Sequence, residues 1–195
     1  MNTTTELLQT RRSVPPRLLV LPAPSDAEIN TLLTIASRVP DHARVVPWRF
    51  IVIGPDGGAR LGEHIVAAYT ADKPDATPEA IELERNRLRR APLVIAVVSS
   101  TREHPKAPEW EQILSAGAAA MNLLNAVTAM GYSCNWHTEW YAYDRRILSE
   151  LGLGETERIA GFIHVGTAAE APADRPRPAL AGIVKRFGAE GVAEF

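Results

Sequence analysis

The segment from Pro108 to Met130 constrains the fold more than any other part of the chain. It is rich in alanine and leucine, and its apolar residues recur at helical spacing. These apolar residues are Ile113, Ala116, Ala120, Leu123, Leu124 and Val127. Gly131 follows directly, and glycine commonly ends a helix because it tolerates a left-handed backbone. The pattern predicts a long central helix, around which the other elements pack.

The other elements alternate between strand and helix patterns. Strands are predicted at Arg49–Ile53, Leu93–Val98, Cys134–Thr138 and Ile159–Val165, and further helices at Thr5–Arg12, Ser25–Arg38, Ala59–Tyr69, Thr77–Arg90 and Asp144–Leu151. The continuous apolar run at 93–98 predicts a strand covered on both faces. Two of the joins link helix to helix, which favours an α+β fold over a doubly wound sheet. We expect a turn at the glycines of 54–58, and no regular element in the proline-rich tail from Ala168.

Composition narrows the class of protein. The 195 residues are 46% hydrophobic and 23% charged, which predicts one globular domain over residues 1–195. The net charge of −2 supplies no basic field, so we expect no nucleic-acid partner. Cys134 is the only cysteine and excludes an internal disulfide. The first residues lack a basic start and an apolar run, and no apolar stretch reaches membrane-spanning length, so we expect a cytoplasmic protein that does not span a membrane.

Two polar clusters are candidates for a binding site. Arg11, Arg12 and Ser13 end the first helix, and guanidinium and hydroxyl groups are good donors to phosphate oxygens. The second cluster, Pro40 to Phe50, is a loop fenced by prolines that contains Asp41, His42, Arg44 and Trp48. Together the clusters suggest a planar, phosphorylated ligand. Taken locally, each residue also has a simpler interpretation: solvated arginines, a surface histidine and a core tryptophan.

Other chemistries fit the sequence poorly. The five histidines are scattered without metal-ligand spacing, so no metal site is predicted. Gly131-Tyr132-Ser133-Cys134-Asn135 lacks the last glycine of a nucleophile elbow. The glycines at 54, 57 and 58 follow a strand and precede a helix, but they lack dinucleotide-binding spacing. A nucleotide-binding α/β protein that uses this turn remains a minor alternative.

In their order along the chain, these segments resemble the nitroreductase family of FMN-dependent oxidoreductases, and its compact bacterial branch in particular. The matching pieces are Arg11-Arg12-Ser13, Arg38-Val39-Pro40-Asp41-His42, Pro47-Trp48-Arg49-Phe50, Arg90-Ala91-Pro92-Leu93-Val94-Ile95, the segments 104–112 and 115–117, Asn135-Trp136-His137-Thr138 and 161–167. The resemblance covers nearly the whole chain, and the ordered set is more specific than any single piece.

The resemblance implies a nitroreductase-like fold, with a central mixed or antiparallel sheet flanked by helices, a long central helix and an extended C-terminal tail. It also implies a homodimer with FMN at the subunit interface. Arg11, Arg12 and Ser13 would come from one subunit, Arg38 and His42 from the other, and Trp136, His137 and Thr138 would lie beside the flavin. NADPH or NADH would reduce the flavin, which would then reduce a nitroaromatic or quinone. No separate catalytic residue is implied, because the flavin supplies the chemistry.

Two positions depart from the family pattern. Val46 stands where a glutamine is common, and His137-Thr138 stands where the branch often has Arg-Ser. Imidazole is often neutral at pH 7, so one fixed positive charge beside the cofactor is lost. These departures keep open a second possibility, a non-catalytic flavin-binding or sensor protein on the same scaffold.

Overall fold

The computed structural model describes residues 3–188 and 191–194. Its helices are α1 (Thr3–Thr10), α2 (Asp26–Ala36), α3 (Pro55–Asp72), α4 (Pro78–Arg85), α5 (Glu109–Ala129) and α6 (Arg145–Glu150). Its strands are β1 (Leu19–Val20), β2 (Trp48–Ile53), β3 (Leu93–Ser99), β4 (Ser133–His137), β5 (Arg158–Ala168), β6 (Lys185–Gly188) and β7 (Gly191–Glu194). The combination of helices and antiparallel strands confirms the predicted α+β class.

Five strands form one antiparallel sheet, in which β5 pairs with β1, β3 and β4, and β3 pairs with β2. All seven residues of β3 are buried, as the continuous apolar run predicts for a strand covered on both faces. Because β4 pairs only with β5 within this sheet, it forms an edge. The candidate residues Trp136 and His137 therefore lie at a border of the sheet.

Alternate residues of β3 face two separate helical layers. Leu93, Ile95 and Val97 pack in a buried cluster with residues of α2 and α5. Val94, Ala96 and Val98 pack with residues of α3 and α6 on the opposite face. The sheet therefore lies between two helical layers.

The long helix α5 confirms the predicted central helix. Its buried residues are Gln112, Ala116, Ala119, Ala120, Leu123, Leu124, Ala126 and Val127. Helix α2 starts with the predicted capping box, in which the Ser25 side chain accepts from the Glu28 N–H and the Glu28 carboxylate accepts from Ser25. The side chain of Asn122 on α5 donates to the carbonyl of Ile35 at the end of α2, at 2.5 Å. These contacts fix the start of the loop that follows α2.

The expected turn at 54–58 is wrong. Pro55 occupies the first turn of α3, and Gly57 and Gly58 lie inside this helix. A Cβ at Gly58 would come within 2.8 Å of the Leu88 carbonyl oxygen, so the glycine allows close helix packing. This packing role removes the basis for the nucleotide-binding alternative.

The ends of two helices and the structure of the tail also differ from the sequence predictions. Helix α1 ends at Thr10, so Arg11 and Arg12 lie beyond it, although the Arg11 N–H still donates to the Leu7 carbonyl at 2.8 Å. Helix α4 ends at Arg85, and a separate 3-10 turn at Arg87–Arg89 carries the buried Leu88 into the core. The tail is also more regular than expected, because β6 and β7 pair as an antiparallel hairpin. Helix propensity and proline content are local properties of the sequence, so they do not indicate such tertiary packing.

Candidate functional site

The segment Arg11–Ser13 runs beside the edge strand β4. The N–H of Val14 donates to the carbonyl of Cys134 at 3.1 Å. In return, the side-chain amide of Asn135 donates to the Val14 carbonyl at 3.0 Å. The structure therefore holds the residue directly after the first arginine cluster against the strand that carries Trp136 and His137.

Arg11 and Arg12 differ in their partners. The Nη1 atom of Arg11 is buried, and it has no hydrogen-bond partner in the described part of the chain. The Nε of Arg12 instead donates to the Ala173 carbonyl at 3.0 Å and lies 3.7 Å from the Asp174 carboxylate in the tail. A buried guanidinium nitrogen without a partner is costly, and an anionic ligand would satisfy it.

Trp136 and His137 point to opposite faces of the sheet, because side chains alternate along a strand. The indole N–H of Trp136 donates to the Ala160 carbonyl at 3.0 Å, and the ring lies over Gly161, where any Cβ would collide with it. Trp136 also forms one wall of a cleft of about 350 Å³. The other walls come from the N-terminal half of α5 and the ends of β3 and β5, including Glu109, Ile113, Gly117, Ser99, Arg158 and Ile159.

On the opposite face, His137 lies beside a cluster of paired charges. Its Nδ1 is 3.9 Å from a carboxylate oxygen of Glu139. Glu139 accepts hydrogen bonds from Arg90 and from Arg87, the latter at 2.9 Å, and from the hydroxyl of Tyr141 at 3.0 Å. Arg87 also pairs with the buried Glu84 at 2.5 Å. Each arginine in this cluster therefore faces a carboxylate.

The charges in this cluster set the protonation of its members. Burial lowers the pKa of His137, the nearby Arg90 and Arg87 lower it further, and Glu139 opposes them. Burial raises the pKa of Glu139, but hydrogen bonds and charge from Arg90 outweigh burial and leave the pKa below its usual value. His137 is therefore neutral at pH 7 and Glu139 is ionised, so position 137 carries no fixed positive charge.

Arg38 and His42 lie along α5 rather than beside β4. The Nδ1 of His42 is 2.7 Å from the Glu111 carboxylate, and the Ser115 hydroxyl donates to the Pro40 carbonyl at 2.9 Å. The Arg38 side chain is exposed. Among the described residues, no hydrogen bond or ion pair links Arg38 or His42 to the Arg11–Ser13 segment or to 136–138. Within one chain, the candidate residues thus form two groups.

The remaining candidates are simpler to place. Thr138 follows β4 and is exposed, and Ser13 is half-buried. Trp48 is 7% exposed and packs with Ala116 and Ala119, so its core interpretation is confirmed. Cys134 is fully buried, and burial raises the pKa of its thiol to about 11. Cys134 is therefore an inert core residue.

Sequence reasoning missed the charged cluster around His137. Glu84, Arg87 and Arg90 lie close together in sequence, but Glu139 follows β4 and meets them only when β4 and β3 both pair with β5. The arginine-rich segment 87–90, directly before a buried strand, was the one local signal. Cations beside a buried element commonly have carboxylate partners, but the sequence does not identify those partners.

Helix α5 presents an apolar surface to the outside. Trp110 is 67% exposed, Ile113 41%, Leu114 53% and Met121 38%, and they recur at helical spacing on the face opposite the buried stripe. We call these four residues the α5 surface patch. Large exposed apolar side chains on one face of a helix are a candidate protein-binding surface. No helix in the described ranges is long and apolar enough to cross a bilayer.

Comparisons with known proteins agree with this architecture. The sequence model of the nitroreductase family matches residues 8–167. A protein of Escherichia coli K12 with the name "Putative NAD(P)H nitroreductase YdjA" is 36% identical over 166 residues, which cover 83% of this chain and 86% of the relative.

Solved structures show the same fold. A nitroreductase-like protein of Bacillus cereus superposes with a TM-score of 0.82, covering 94% of this chain and 95% of the other at 20% identity. A crystal structure from Desulfovibrio desulfuricans, solved in complex with FMN, superposes with a TM-score of 0.71, covering 94% and 96% at 23% identity.

Proposed function

This chain belongs to the nitroreductase family, a family of oxidoreductases, and from that premise we propose an FMN-dependent enzyme. Its reductant is NADPH or NADH, and its acceptor is a small molecule such as a nitroaromatic or a quinone. We further propose that residues 1–195 form one domain and that the working unit is a cytoplasmic homodimer.

The unpartnered guanidinium nitrogen of Arg11 carries this proposal. It is buried beside β4, in a segment whose backbone is tied to Cys134 and Asn135. The FMN phosphate has the charge and the acceptor oxygens that such a group requires. The neighbouring Arg12 and Ser13 add donors of the same kind. The residues present therefore fit the phosphate end of the cofactor.

The chain's own residues would bind and orient the cofactor. FMN, when bound, supplies the transfer of reducing equivalents between the nicotinamide and the acceptor. Arg11, Arg12 and Ser13 would hold the phosphate, while Trp136, His137 and Thr138 would lie beside the ring. Neutral His137 would contribute a hydrogen-bonding group rather than a charge. Relatives named NAD(P)H nitroreductases, and a fold relative solved with FMN, support this assignment.

A homodimer would bring the two groups of candidate residues together. Arg38 and His42 lie beside α5, next to the α5 surface patch. If two copies pack through this patch, Arg38 and His42 of one copy approach the β4 edge of the other. Each FMN would then be held by both subunits. Such packing would bury the four large apolar side chains of the patch, which in a single chain are exposed to water.

A spectrum of the purified protein tests the proposed activity. Protein reconstituted with FMN should be yellow and should bleach when NADPH or NADH is added without oxygen. Menadione or a nitroarene should then restore the colour and sustain NAD(P)H oxidation. A protein that stays colourless after reconstitution with excess FMN would refute the proposal.

Mixed dimers test whether the site is shared. Arg11→Ala and His42→Ala subunits, co-expressed with different affinity tags, yield a hybrid dimer after purification on both tags. A shared site predicts that the hybrid has one intact site and one doubly altered site, and so binds one FMN per dimer with wild-type affinity. If each site lies within one subunit, both sites of the hybrid are damaged and no tight binding remains.

The non-catalytic flavin protein remains a second candidate, because His137 gives the site no fixed positive charge. A cation near the flavin favours its reduced, anionic form, so the loss of a cation makes reduction less favourable. Such a protein would bind FMN but would show no NAD(P)H oxidation with menadione. The turnover measurement described above separates the two functions.

A further inference from the structure

The loop between α2 and β2 has an unusual backbone. Ala43, Arg44 and Val46 all adopt left-handed conformations, with φ of 60°, 55° and 50°. Residues other than glycine rarely do so, and a β-branched residue such as Val46 is a marked outlier. A backbone of this kind persists only when the surrounding structure holds it, and such segments cluster at functional sites.

The Asp41 carboxylate holds this loop directly. One oxygen accepts from the N–H of Val45 at 2.9 Å, and the other accepts from the N–H of Val46 at 2.9 Å. Both oxygens of the carboxylate therefore accept a hydrogen bond from the loop backbone. The guanidinium of Arg102 donates to the Val45 carbonyl. Val45 itself is buried, so the loop is anchored at its centre.

Helix α5 supports Arg102 in turn. The side-chain oxygen of Gln112 accepts from the Arg102 N–H at 3.0 Å. Its amide group donates to the carbonyls of Arg102 and Ala107, both at 2.8 Å. Gln112 is only 2% exposed, so these bonds are shielded from water. A continuous set of hydrogen bonds thus runs from the rigid α5 to the strained loop.

The loop presents its side chains outward despite this support. Val46 is 53% exposed, and the His42 side chain is 54% exposed. His42 lines a groove of about 300 Å³ together with Pro40, Glu111, Leu114, Ser115 and Ala118. Leu114 belongs to the α5 surface patch. The burial of Val45 explains the centre of the loop, but it does not explain why a strained backbone presents His42 and Val46 to the outside.

We propose that Asp41 is a positioning residue, which together with Arg102 and Gln112 holds the left-handed loop 43–46 so that His42 meets the FMN bound by the partner subunit. This inference rests on the proposed function, because it concerns the second half of the shared site. Without the two bonds from Asp41, the backbone of Ala43 and Val46 returns to ordinary conformations. Only the fraction of molecules with the loop in place then binds FMN tightly, and the apparent affinity falls by that fraction.

The test measures FMN affinity in an Asp41→Ala variant of the full dimer, by fluorescence titration. We expect Kd to rise by about tenfold, which corresponds to roughly one molecule in ten with a formed loop. Asp41→Asn keeps one acceptor oxygen and should show a smaller increase. Asp75→Ala removes an exposed loop carboxylate elsewhere in the chain and is the matched control.

A second substitution separates loop positioning from the loss of charge. Glycine adopts a left-handed backbone as readily as a right-handed one. Adding Ala43→Gly to Asp41→Ala should therefore recover part of the lost affinity, although the carboxylate is still absent. If Asp41 acted through its charge alone, the glycine would recover nothing, and that result would overturn the proposal.

The remaining outcomes are equally distinct. Asp41→Ala protein that binds FMN as tightly as wild type, with a normal circular dichroism spectrum, also overturns the inference. A wild-type protein that binds no FMN overturns the proposed function itself, before the role of Asp41 is reached. Thermal unfolding of the FMN-free variants measures whether Asp41 serves only the stability of the fold. We expect the added Ala43→Gly substitution to change the Kd for FMN rather than the Tm.

Discussion

His137 and His164 meet edge to face across the pair formed by β4 and β5, with ring centroids 5.4 Å apart and ring planes at 61°. His164 is fully buried, and its Nε2 lies 3.4 Å from the Arg87 carbonyl, which can only accept. Nε2 therefore carries the proton, and Nδ1 is buried without a partner in the described residues. The neutral ring is the form that this environment stabilises.

The His164→Leu substitution should change how stability depends on pH. Burial lowers the pKa of His164 to about 4. At pH values between the folded and the unfolded pKa, the unfolded chain therefore binds a proton at this position and the folded chain does not. The contribution of His164 to stability is complete above pH ~6.5, the unfolded value, and is lost as pH falls towards 4. The wild type should lose roughly 3 kcal/mol through this group between pH 7.5 and 4. Urea unfolding at several pH values should show that the free energy of unfolding falls less with decreasing pH in the leucine variant than in the wild type. The same pH dependence in both proteins would contradict the assignment.

Arg11→Ala should weaken FMN binding severely. If the phosphate is held in a buried site, the loss of its charged partner costs ~3–5 kcal/mol. That loss is roughly a hundred- to several-thousand-fold in Kd. Arg17→Ala removes an exposed arginine nearby in the sequence and should leave Kd close to the wild-type value. Equilibrium dialysis measures both variants, and unchanged FMN retention in Arg11→Ala would remove this residue from the site.

Glu139→Gln should make the bound flavin easier to reduce. The substitution removes the negative charge that Arg87 and Arg90 share, so Arg90 loses its carboxylate partner while Arg87 keeps its pair with Glu84. Positive charge near the flavin favours its reduced, anionic form. We expect the midpoint potential to rise by about 30 mV, equivalent to ~1.4 kcal/mol for a two-electron couple. Spectroelectrochemistry measures it, and a potential that stays constant or falls would place the flavin away from this cluster.

Leu114→Asp should separate the proposed dimer. A carboxylate in the middle of an apolar interface loses its hydration without gaining a partner. Leu83 on α4 is 53% exposed, as is Leu114, so Leu83→Asp is a matched control for added surface charge. Light scattering at micromolar concentration should give a monomer for Leu114→Asp alone, together with loss of tight FMN binding. A wild-type protein that is already monomeric would refute the dimer.

Gly161→Ala should displace Trp136. The added methyl group would collide with the indole, so the hydrogen bond to the Ala160 carbonyl must break or the strand must shift. Overpacking of this kind costs ~1–3 kcal/mol. Gly54→Ala is the control, since a Cβ there meets no atom within 4 Å. Thermal unfolding and tryptophan fluorescence should both change in Gly161→Ala and should stay near wild type in Gly54→Ala.

The sequence predicted the elements that depend on local pattern. The capping box at Ser25 and the buried run of β3 appear as expected, and so does the apolar stripe of α5 except for Ile113, which is 41% exposed. Gly57 and Gly58 misled the prediction because glycine signals a turn locally, whereas the contact that explains Gly58 is with the distant Leu88 carbonyl. The hairpin of β6 and β7 was missed because three prolines precede it.

The site was predictable only in part. The resemblance assigned Arg11 to the FMN phosphate and Trp136 to the flavin ring, and these roles stay predictions, although the structure pairs Val14 with Cys134 and so brings the two segments close. The charged cluster around Glu139 depends on pairing between distant segments, and the bonds from Asp41 to Val45 and Val46 depend on left-handed φ angles that the local sequence does not indicate. The contacts of Arg38 and His42 with the flavin stay a prediction, because they require a second copy of the chain.

The enclosure of β3 restricts how this protein can diverge from its relatives. All seven residues of this strand are buried, and only Ser99 at its end lines the cleft beside Trp136, so substitutions within the strand have little access to a bound molecule. Adaptation to a new acceptor must therefore come from the periphery, through the edge strand, the loop after α2 and the tail. Laboratory evolution of this scaffold will reach new substrates faster with libraries aimed at those borders than with libraries aimed at the middle of the sheet.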